Sequence, residues 1–245
     1  MSILDDLLAS LDDDAPIRDV RVCVHWTAVL SRRCGLASSL TDDSPHAHRQ
    51  VRDAGRLHGL TACELAQRVK SDYVLEASIG MAAINSLLHV DESRCVELNA
   101  GRFLEERGRG KQVALVGHFP FIPQLRAAAG RLWVLEQRPA PGEFPADAAP
   151  EIIPQADVVA ITGTTLINGT FDGLIRLCRP GALVLVLGPS TPLSPVLFDY
   201  GVDVISGAQV VDAEATLRTI SQGATFRQVE GVRLLTMSRV DPAKR

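Results

Sequence analysis

The chain has few aromatic residues, 4% of its 245, and no surplus of positive charge: 25 basic against 29 acidic side chains leave a formal charge of −4. Up to Gly110 there are 13 basic and 17 acidic residues, and from Lys111 onward 12 of each, so the excess acid lies in the first half. A nucleic-acid binder usually shows a basic stripe interleaved with aromatics, and neither half has one, which argues against nucleic acid as a partner. No apolar run approaches the roughly 18 residues needed to span a bilayer, so no membrane partner is expected. Met1 to Asp14 is acidic and amphipathic through Ile3, Leu4, Leu7, Leu8 and Leu11, without the basic start or small-residue cleavage site of a secretory signal. Paired cysteines are missing too. Cys23, Cys34, Cys63, Cys95 and Cys178 are odd in number, widely spread and free of any C-x-x-C, which fits reduced thiols better than a disulfide framework or structural zinc. These absences together predict a cytoplasmic protein. The chain also lacks G-x-S-x-G, G-x-x-x-x-G-K-[ST] and H-E-x-x-H, so the commonest hydrolase and nucleotidase mechanisms have no support.

What is present is ample apolar material, 46% of residues, enough for one large domain or two modest ones. From Asp19 to Ser31, Val20, Val22, Val24, Trp26, Ala28 and Leu30 alternate as on one half-buried strand. Arg32 and Arg33 mark a turn, Cys34 to Leu40 reads as a returning strand, and Thr41 to Gly59 as a polar loop. Thr61 with Glu64 three residues on forms a capping box that opens a helix to about Lys70. A second helix is expected from Val74 to His89, with Ala77, Met81, Ile84, Leu87 and Leu88 on its apolar side. Its small residues Gly80, Ala82, Ala83 and Ser86 would suit close packing against its own sheet or a second copy, so a homodimer is possible. Strands first and helices second is an α+β pattern. We therefore expect a smaller α+β domain over residues 1–108.

From Lys111 the pattern becomes alternating. Val113–Val116, Leu132–Leu135, Val158–Ile161, Leu183–Leu187 and Val202–Ile205 are short continuous apolar runs, as expected of parallel strands covered on both faces. Phe121–Ala129, Leu166–Cys178 and Leu193–Tyr200 are long enough for crossover helices. Asp212 reads as the N-cap of a last helix, Val232–Met237 as a last strand, and 139–154, with four prolines before Pro154, as a loop. The expected fold class is α/β, with a Rossmann-like parallel-sheet domain over 109–245.

In such a sheet the ligand lies beyond the carboxyl ends of the strands. Those ends read Gly117-His118-Phe119-Pro120, Glu136-Gln137-Arg138, Thr162-Gly163-Thr164-Thr165-Leu166-Ile167-Asn168 and Gly188-Pro189-Ser190-Thr191-Pro192. Glycine lets backbone approach a ligand, and free N–H groups at a helix start suit an anion; the same residues also serve as turns and N-caps. Glu136, 19 residues past Gly117, stands where an acid would hold a ribose, so an adenosyl or nicotinamide cofactor is an alternative ligand. Against a dinucleotide, GHFPF is not G-x-G-x-x-G, and its aromatic rings would crowd a pyrophosphate. His118 is a candidate acid, base or metal ligand, or a loop histidine bonded to a neighbour. His46 and His48 form an H-x-H pair without a third ligand at a diagnostic spacing.

The segments VALVGHFPFIPQL, ADVVAITGTTLINGTFDGLI and VLVLGPSTPLSPVLFDYGVDVISG resemble the Rossmann-like domain of the family called putative heavy-metal chelation proteins. CGLASSL and SDYVLEASIGMAAINSLL resemble that family's companion domain, which has an enolase N-terminal-like fold. The resemblance runs from about Arg18 to about Arg239. It implies two domains with a cleft between them that handles a transition metal or a metal-bearing metabolite. The residues matching its motifs are Cys34, Gly35, Asn85, Gly117, His118, Pro120, Thr162, Gly163, Thr164, Thr165, Asn168, Gly188, Pro189, Ser190 and Thr191. They are carried over as site-lining positions without a catalytic role. The loops offer mostly hard oxygen donors, whereas soft metals prefer thiolate and imidazole, which only Cys34 and His118 supply here.

Overall fold

The computed structural model describes residues 2–41 and 49–239. Helix α1 (Ile3–Ala9) opens at Ser2, which forms a capping box with Asp5. Three strands follow, β1 (Asp19–Val22), β2 (Trp26–Leu30) and β3 (Cys34–Ser38), and they form one antiparallel sheet in that order. The single alternating strand expected from Asp19 to Ser31 is thus a hairpin. Its apolar alternation runs unbroken through the turn, and the turn holds itself by a Cys23 N–H to Trp26 carbonyl bond of 2.9 Å. The Thr61 capping box opens α2 (Ala62–Ala66), and a 3-10 turn carries the chain on to Lys70. Helix α3 (Val74–Leu87) then lies on the small sheet.

The rest of the chain builds the large sheet. In order come β4 (Cys95–Val96), α4 (Ala100–Gly108), β5 (Gln112–Val116), α5 (Ile122–Ala128), β6 (Arg131–Glu136), β7 (Phe144–Pro145) and α6 (Ala149–Ile152). Next are β8 (Val158–Thr162), α7 (Thr164–Ile167), α8 (Phe171–Ile175), β9 (Leu183–Leu187), α9 (Val196–Asp199), β10 (Val204–Val210), α10 (Ala213–Ser221) and β11 (Val232–Ser238). The sheet order is β4-β11-β10-β9-β8-β5-β6-β7. All neighbours from β10 to β7 are parallel, while β11 runs antiparallel to both β10 and β4. The six parallel strands follow the doubly wound order, with its reversal between β5 and β8. Where one crossover helix was expected over Leu166–Cys178, Gly169 at φ +73° divides it into α7 and α8. The proline-rich stretch read as a loop contributes the short edge strand β7 and α6.

Alternate residues of the parallel strands feed two cores. Val113, Leu115, Val134, Ala160 and Leu185 pack under α4 and α5, while Ala114, Trp133, Val159, Ile161 and Val186 join a core that also contains Ile79, Met81 and Ile84 of α3. That second core is continuous across both halves of the chain. The small sheet has its other face on α10, where Trp26, Ala28 and Leu36 meet Leu217, Ile220 and Ala224. Trp26 Nε1 donates to the Ala224 carbonyl at 3.0 Å, a bond between residues 198 positions apart. Both β4 and α4, which precede residue 109, belong to the large unit through β11 and α5.

Helix α3 has buried residues on every side, and its small residues, which suited either the chain's own sheet or a second copy, pack within the chain against the small sheet, α2 and α7. Its close approaches need glycine. A Cβ on Gly35 of β3 would overlap the Ala82 carbonyl oxygen and the Ser86 amide of α3, and one on Gly80 would overlap Val69. The presence of Gly35 in the family pattern thus has a packing reason. We predict that Gly35→Ala lowers unfolding free energy by about 1–3 kcal/mol, the usual cost of overpacking a tight core. Gly59→Ala, whose Cβ meets nothing within 4 Å, serves as the control, and urea midpoints measured on both separate the two.

Candidate functional site

Gly117, at the end of β5, has φ +108° and lies against Thr162 at the end of β8: an added Cβ would stand 2.9 Å from Thr162 Cβ and 3.2 Å from Phe119 Cε2. Gly188, after β9, has φ +112°, and its Cβ would stand 3.9 Å from the other edge of the same Phe119 ring. Gly117 makes room for Thr162 and an aromatic side chain, while Gly188 answers the left-handed φ of its own turn. The Phe119 ring, stacked on Phe121 at 5.1 Å, occupies the space at the strand reversal where a pyrophosphate lies in a dinucleotide-binding domain. Glu136 is half-buried and its Oε2 accepts from the neighbouring Gln137 N–H at 3.1 Å.

The hydroxyl-rich loop after β8 is largely self-bonded. Thr165 Oγ1 donates to the Thr162 carbonyl at 2.7 Å, Thr162 and Thr164 hydroxyls lie 3.0 Å apart, and Asn168 Oδ1 accepts from both the amide and the hydroxyl of Thr170 at 3.2 and 2.7 Å. Thr165 and Asn168 therefore build the turns around α7. Ser190 is buried and bonds across to the small sheet. Its hydroxyl accepts from the Ser38 N–H at 2.8 Å and donates to Ser38 Oγ at 2.9 Å, and Asn85 Nδ2 donates to the Leu36 and Ser190 carbonyls at 2.9 and 3.3 Å. Asn85 and Ser190 act as pins between β3, α3 and the loop after β9. Pro120 is exposed and Pro189 half-buried.

Thr191 is the exception. It is clamped between two glycines: a Cβ on Gly163 would lie 2.7 Å from the Thr191 N, and one on Gly207 of β10 would lie 2.6 Å from the Thr191 carbonyl oxygen. Its own Oγ1 is buried without a hydrogen-bond partner, and so is Gln209 Oε1 on the far arm of β10. Both residues line one cavity between the two units, together with Arg33, Cys34 and Asn85. The cavity is about 20 Å³, and the atom-free space around it, about 380 Å³, runs out to solvent. A volume of ~10–15 Å³ holds one water, so one or two fit as the chain stands.

Cys34 lines this cavity and His118 does not, so the two candidate metal ligands are not brought together. Burial, reinforced by the nearby Asp19 carboxylate, pushes the Cys34 thiol up to about 12. No group of three or more His, Cys, Asp and Glu side chains able to hold a metal ion occurs among the described residues. His46 and His48 lie outside the described residues. His118 instead meets a residue that sequence reasoning missed. Its Nδ1 is 2.9 Å from Glu143 Oε1, and the other carboxylate oxygen accepts from the Ala140 N–H at 2.9 Å. That backbone bond, with the imidazole beside it, holds the Glu143 carboxyl below the usual carboxylate range despite the opposing effect of burial. The only local signal for Glu143 was its place after Gly142, whose φ of +87° turns the proline-rich loop back toward β6. No helix among the described residues is long and apolar enough to cross a membrane.

Comparison with known proteins agrees with this architecture. A family model, DUF364, described as "Putative heavy-metal chelation", matches residues 100–238, and a second with the same description, DUF4213, matches residues 4–88. An uncharacterized protein of Methanocaldococcus jannaschii is 24% identical over 224 residues, covering 86% of this chain and 85% of the relative. A crystal structure of a DUF364 family protein of unknown function from Desulfitobacterium hafniense is 27% identical with a TM-score of 0.86, covering 97% of this chain and 98% of that one. A second DUF364 family structure, from Pyrococcus horikoshii, shares the fold at 18% identity and a TM-score of 0.82, covering 96% and 98%.

A thiol raised to about 12 is neutral across the physiological range, and only the thiolate attacks alkylating agents. Cys34 is therefore expected to resist iodoacetamide at pH 8 in the folded chain and to react fully in guanidinium, as read by peptide mass spectrometry. Rapid labelling of native Cys34 would contradict this burial.

Proposed function

Because the chain belongs to the DUF364 family, described as putative heavy-metal chelation, we propose that it handles metal indirectly, by binding a small polar or anionic, metal-bearing metabolite between its two units. The observation that carries this reading is that Thr191 and Gln209, each with a buried side-chain oxygen lacking a hydrogen-bond partner, line the same cavity. A buried oxygen without a partner costs about 1–3 kcal/mol. Two such residues on one cavity favour a missing partner that supplies hydrogen-bond donors, and a ligand larger than the one or two waters that fit would enter from the open space around the cavity. Arg33 on the same wall suits negative charge on that partner.

A bare soft ion fits this wall poorly. Its one thiol is held neutral, and no neighbouring imidazole or carboxylate completes a ligand set among the described residues. In this reading the metal arrives already coordinated, and the protein recognises the organic shell. The first half, read as an enolase N-terminal-like fold, contributes Arg33, Cys34 and Asn85 to the wall, and the Rossmann-like half contributes Thr191 and Gln209.

The test is native mass spectrometry with metal analysis on untagged protein purified without chelator, comparing the natural chain with Thr191→Val and Gln209→Leu. The natural chain is expected to retain a small-molecule adduct with metal, and both variants to lose it. Thr191→Val removes an unpaired oxygen at nearly constant volume, so its ligand-free stability should stay within about 1 kcal/mol of the natural chain. Adduct retained in both variants, or a cavity holding only water in the natural chain, would reject the reading.

A further inference from the structure

We propose that the group entering the cavity lined by Thr191 and Gln209 is an uncharged NH2 group, the end of a carboxamide or of an amino-substituted ring, and neither a carboxylate nor an ammonium. This rests on the ligand proposed above and names the chemistry of the end that goes in. Gln209 decides the polarity. Its Nε2 donates to Glu92 Oε1 at 3.3 Å, and the other Glu92 oxygen accepts from Arg233 Nη1 at 3.1 Å. A carboxylate only accepts, so the amide nitrogen is the atom kept beside Glu92, and Oε1 takes the other position, where it is buried without a partner. An amide oxygen accepts and never donates. Thr191 is 1% exposed, its N–H is bonded to the Gly188 carbonyl at 3.0 Å, and its hydroxyl is unbonded. Asn85, which lines the cavity with them, is of the same polarity: its Nδ2 donates to the Leu36 and Ser190 carbonyls, so Oδ1 is what its amide has left to offer.

Charge then separates the possible donors. Arg33 is the one charged side chain among the described residues that line the cavity, and its guanidinium already donates to the Leu88 carbonyl at 3.0 Å and lies 3.2 Å from His89 Nδ1. An ammonium placed there would meet a like charge with no lining carboxylate to offset it. The carboxylates that act nearby, Asp19 on Cys34 and Glu92 on Gln209, are paired with Arg21 and Arg233. A carboxylate on the ligand would suit Arg33 but would set its oxygens against oxygens that need donors, so negative charge belongs on the part of the ligand outside the cavity. Leu88, Val90, Leu193 and Val210 are apolar and favour an uncharged group. Size agrees. A volume of about 20 Å³ admits the bulk of one or two waters, which an NH2 terminus matches, and the open space around it takes what carries that terminus. The two hydrogens of the group then serve Gln209 Oε1 and Thr191 Oγ1.

The test is a proton–nitrogen NMR titration of the full chain with three probes of similar size, propionamide, propionate and propylammonium, at equal concentrations and neutral pH. The Gln209 side-chain signal, identified by its loss in Gln209→Leu, and the Thr191 backbone amide are followed. We expect propionamide to shift both saturably and to bind at least about tenfold more tightly than either charged probe, the scale of one hydrogen bond between neutral groups. Gln209→Leu, read at the Thr191 amide, and Thr191→Val, read at the Gln209 side chain, should each weaken propionamide by about tenfold. Glu92 is a positioning residue in this scheme, with its side chain 55% exposed. Glu92→Leu should therefore leave the fold intact, free the Gln209 amide to turn over, and narrow the preference for propionamide over propionate. A preference for propionate or propylammonium, equal affinity for all three, unweakened propionamide binding in Gln209→Leu, or an unchanged preference in Glu92→Leu would overturn the proposal. So would the absence of a saturable shift with any probe, which leaves a cavity that holds water. Amide spectra of each variant confirm folding. The two readings fail separately: a metal-bearing adduct lost in Thr191→Val, from a cavity that prefers a charged probe, sinks only this one. A propionamide preference in a chain that purifies without such an adduct sinks only the metal-bearing ligand.

Discussion

A helix without a polar face is stable in water only when it is covered all round, and α3 imposes that requirement on the whole chain. Eleven of its fourteen residues are buried. The small sheet covers one side and comes so close that β3 carries glycine at position 35, while α2 and the turn after it cover another. What remains is covered by α7 and the core of the large sheet. The two halves are therefore joined by a shared apolar interior and not by a hinge. Each apolar side chain fully buried there contributes about 1.5–3 kcal/mol, which far exceeds what the surface ion pairs supply. The outer face of the small sheet repeats the arrangement on α10, so an element near the amino terminus is sandwiched between helices from opposite ends of the chain.

The cavity lined by Thr191 and Gln209 is a consequence of this packing. With α3 fixed, Asn85 near its carboxyl end reaches the Leu36 carbonyl on one side and the Ser190 carbonyl on the other. Ser38 and Ser190 add a second polar link. These bonds hold the loop after β9 against the small sheet, and the glycines at 163 and 207 let Thr191 sink between β8 and β10. A threonine held that tightly cannot turn its hydroxyl to a new acceptor by moving its backbone. Its buried, unpaired oxygen is thus held in place beside Gly163.

The parallel strands were legible because burial on both faces requires continuous apolar runs, and β5, β6, β8 and β9 begin and end within a residue of those runs. Helix caps at Thr61 and Asp212 were legible for a local reason, since a cap involves only three or four consecutive residues. The hairpin of β1 and β2 was not, because Val24 continues the alternation through the turn, where it is 75% exposed. Nor was the dependence of the small sheet on α10, which rests on contacts such as Trp26 to Ala224 that no local pattern encodes. Among the strand-end glycines, Gly117 meets Thr162 and the Phe119 ring closely, while Gly188 makes only ordinary contacts. Polar type alone could not separate Ser190 and Asn85, which are spent on structure, from Thr191, which is not. Glu143 and Gln209 escaped for the same reason as α10: their partners are set by topology.

The filling of the strand-reversal crevice by Phe119 explains why a fold of this order can lack the usual dinucleotide signature. In the doubly wound arrangement the crevice exists because loops on either side of the reversal diverge, and whatever occupies it decides where a ligand can go. Here an aromatic ring occupies it, and the neighbouring threonines bond to one another. Of the three buried side-chain oxygens without partners among the described residues, those of Thr191 and Gln209 belong to residues lining one cavity to the side, where the loop after β9 meets the small sheet, and the third, Asp172 Oδ1, is on α8. The cavity on that side draws its lining from both halves of the chain, so neither half alone presents it. The shared core around α3 is then more than a stabilising feature: it sets the relative position of Asn85, Thr191 and Gln209, and with it the shape of that cavity.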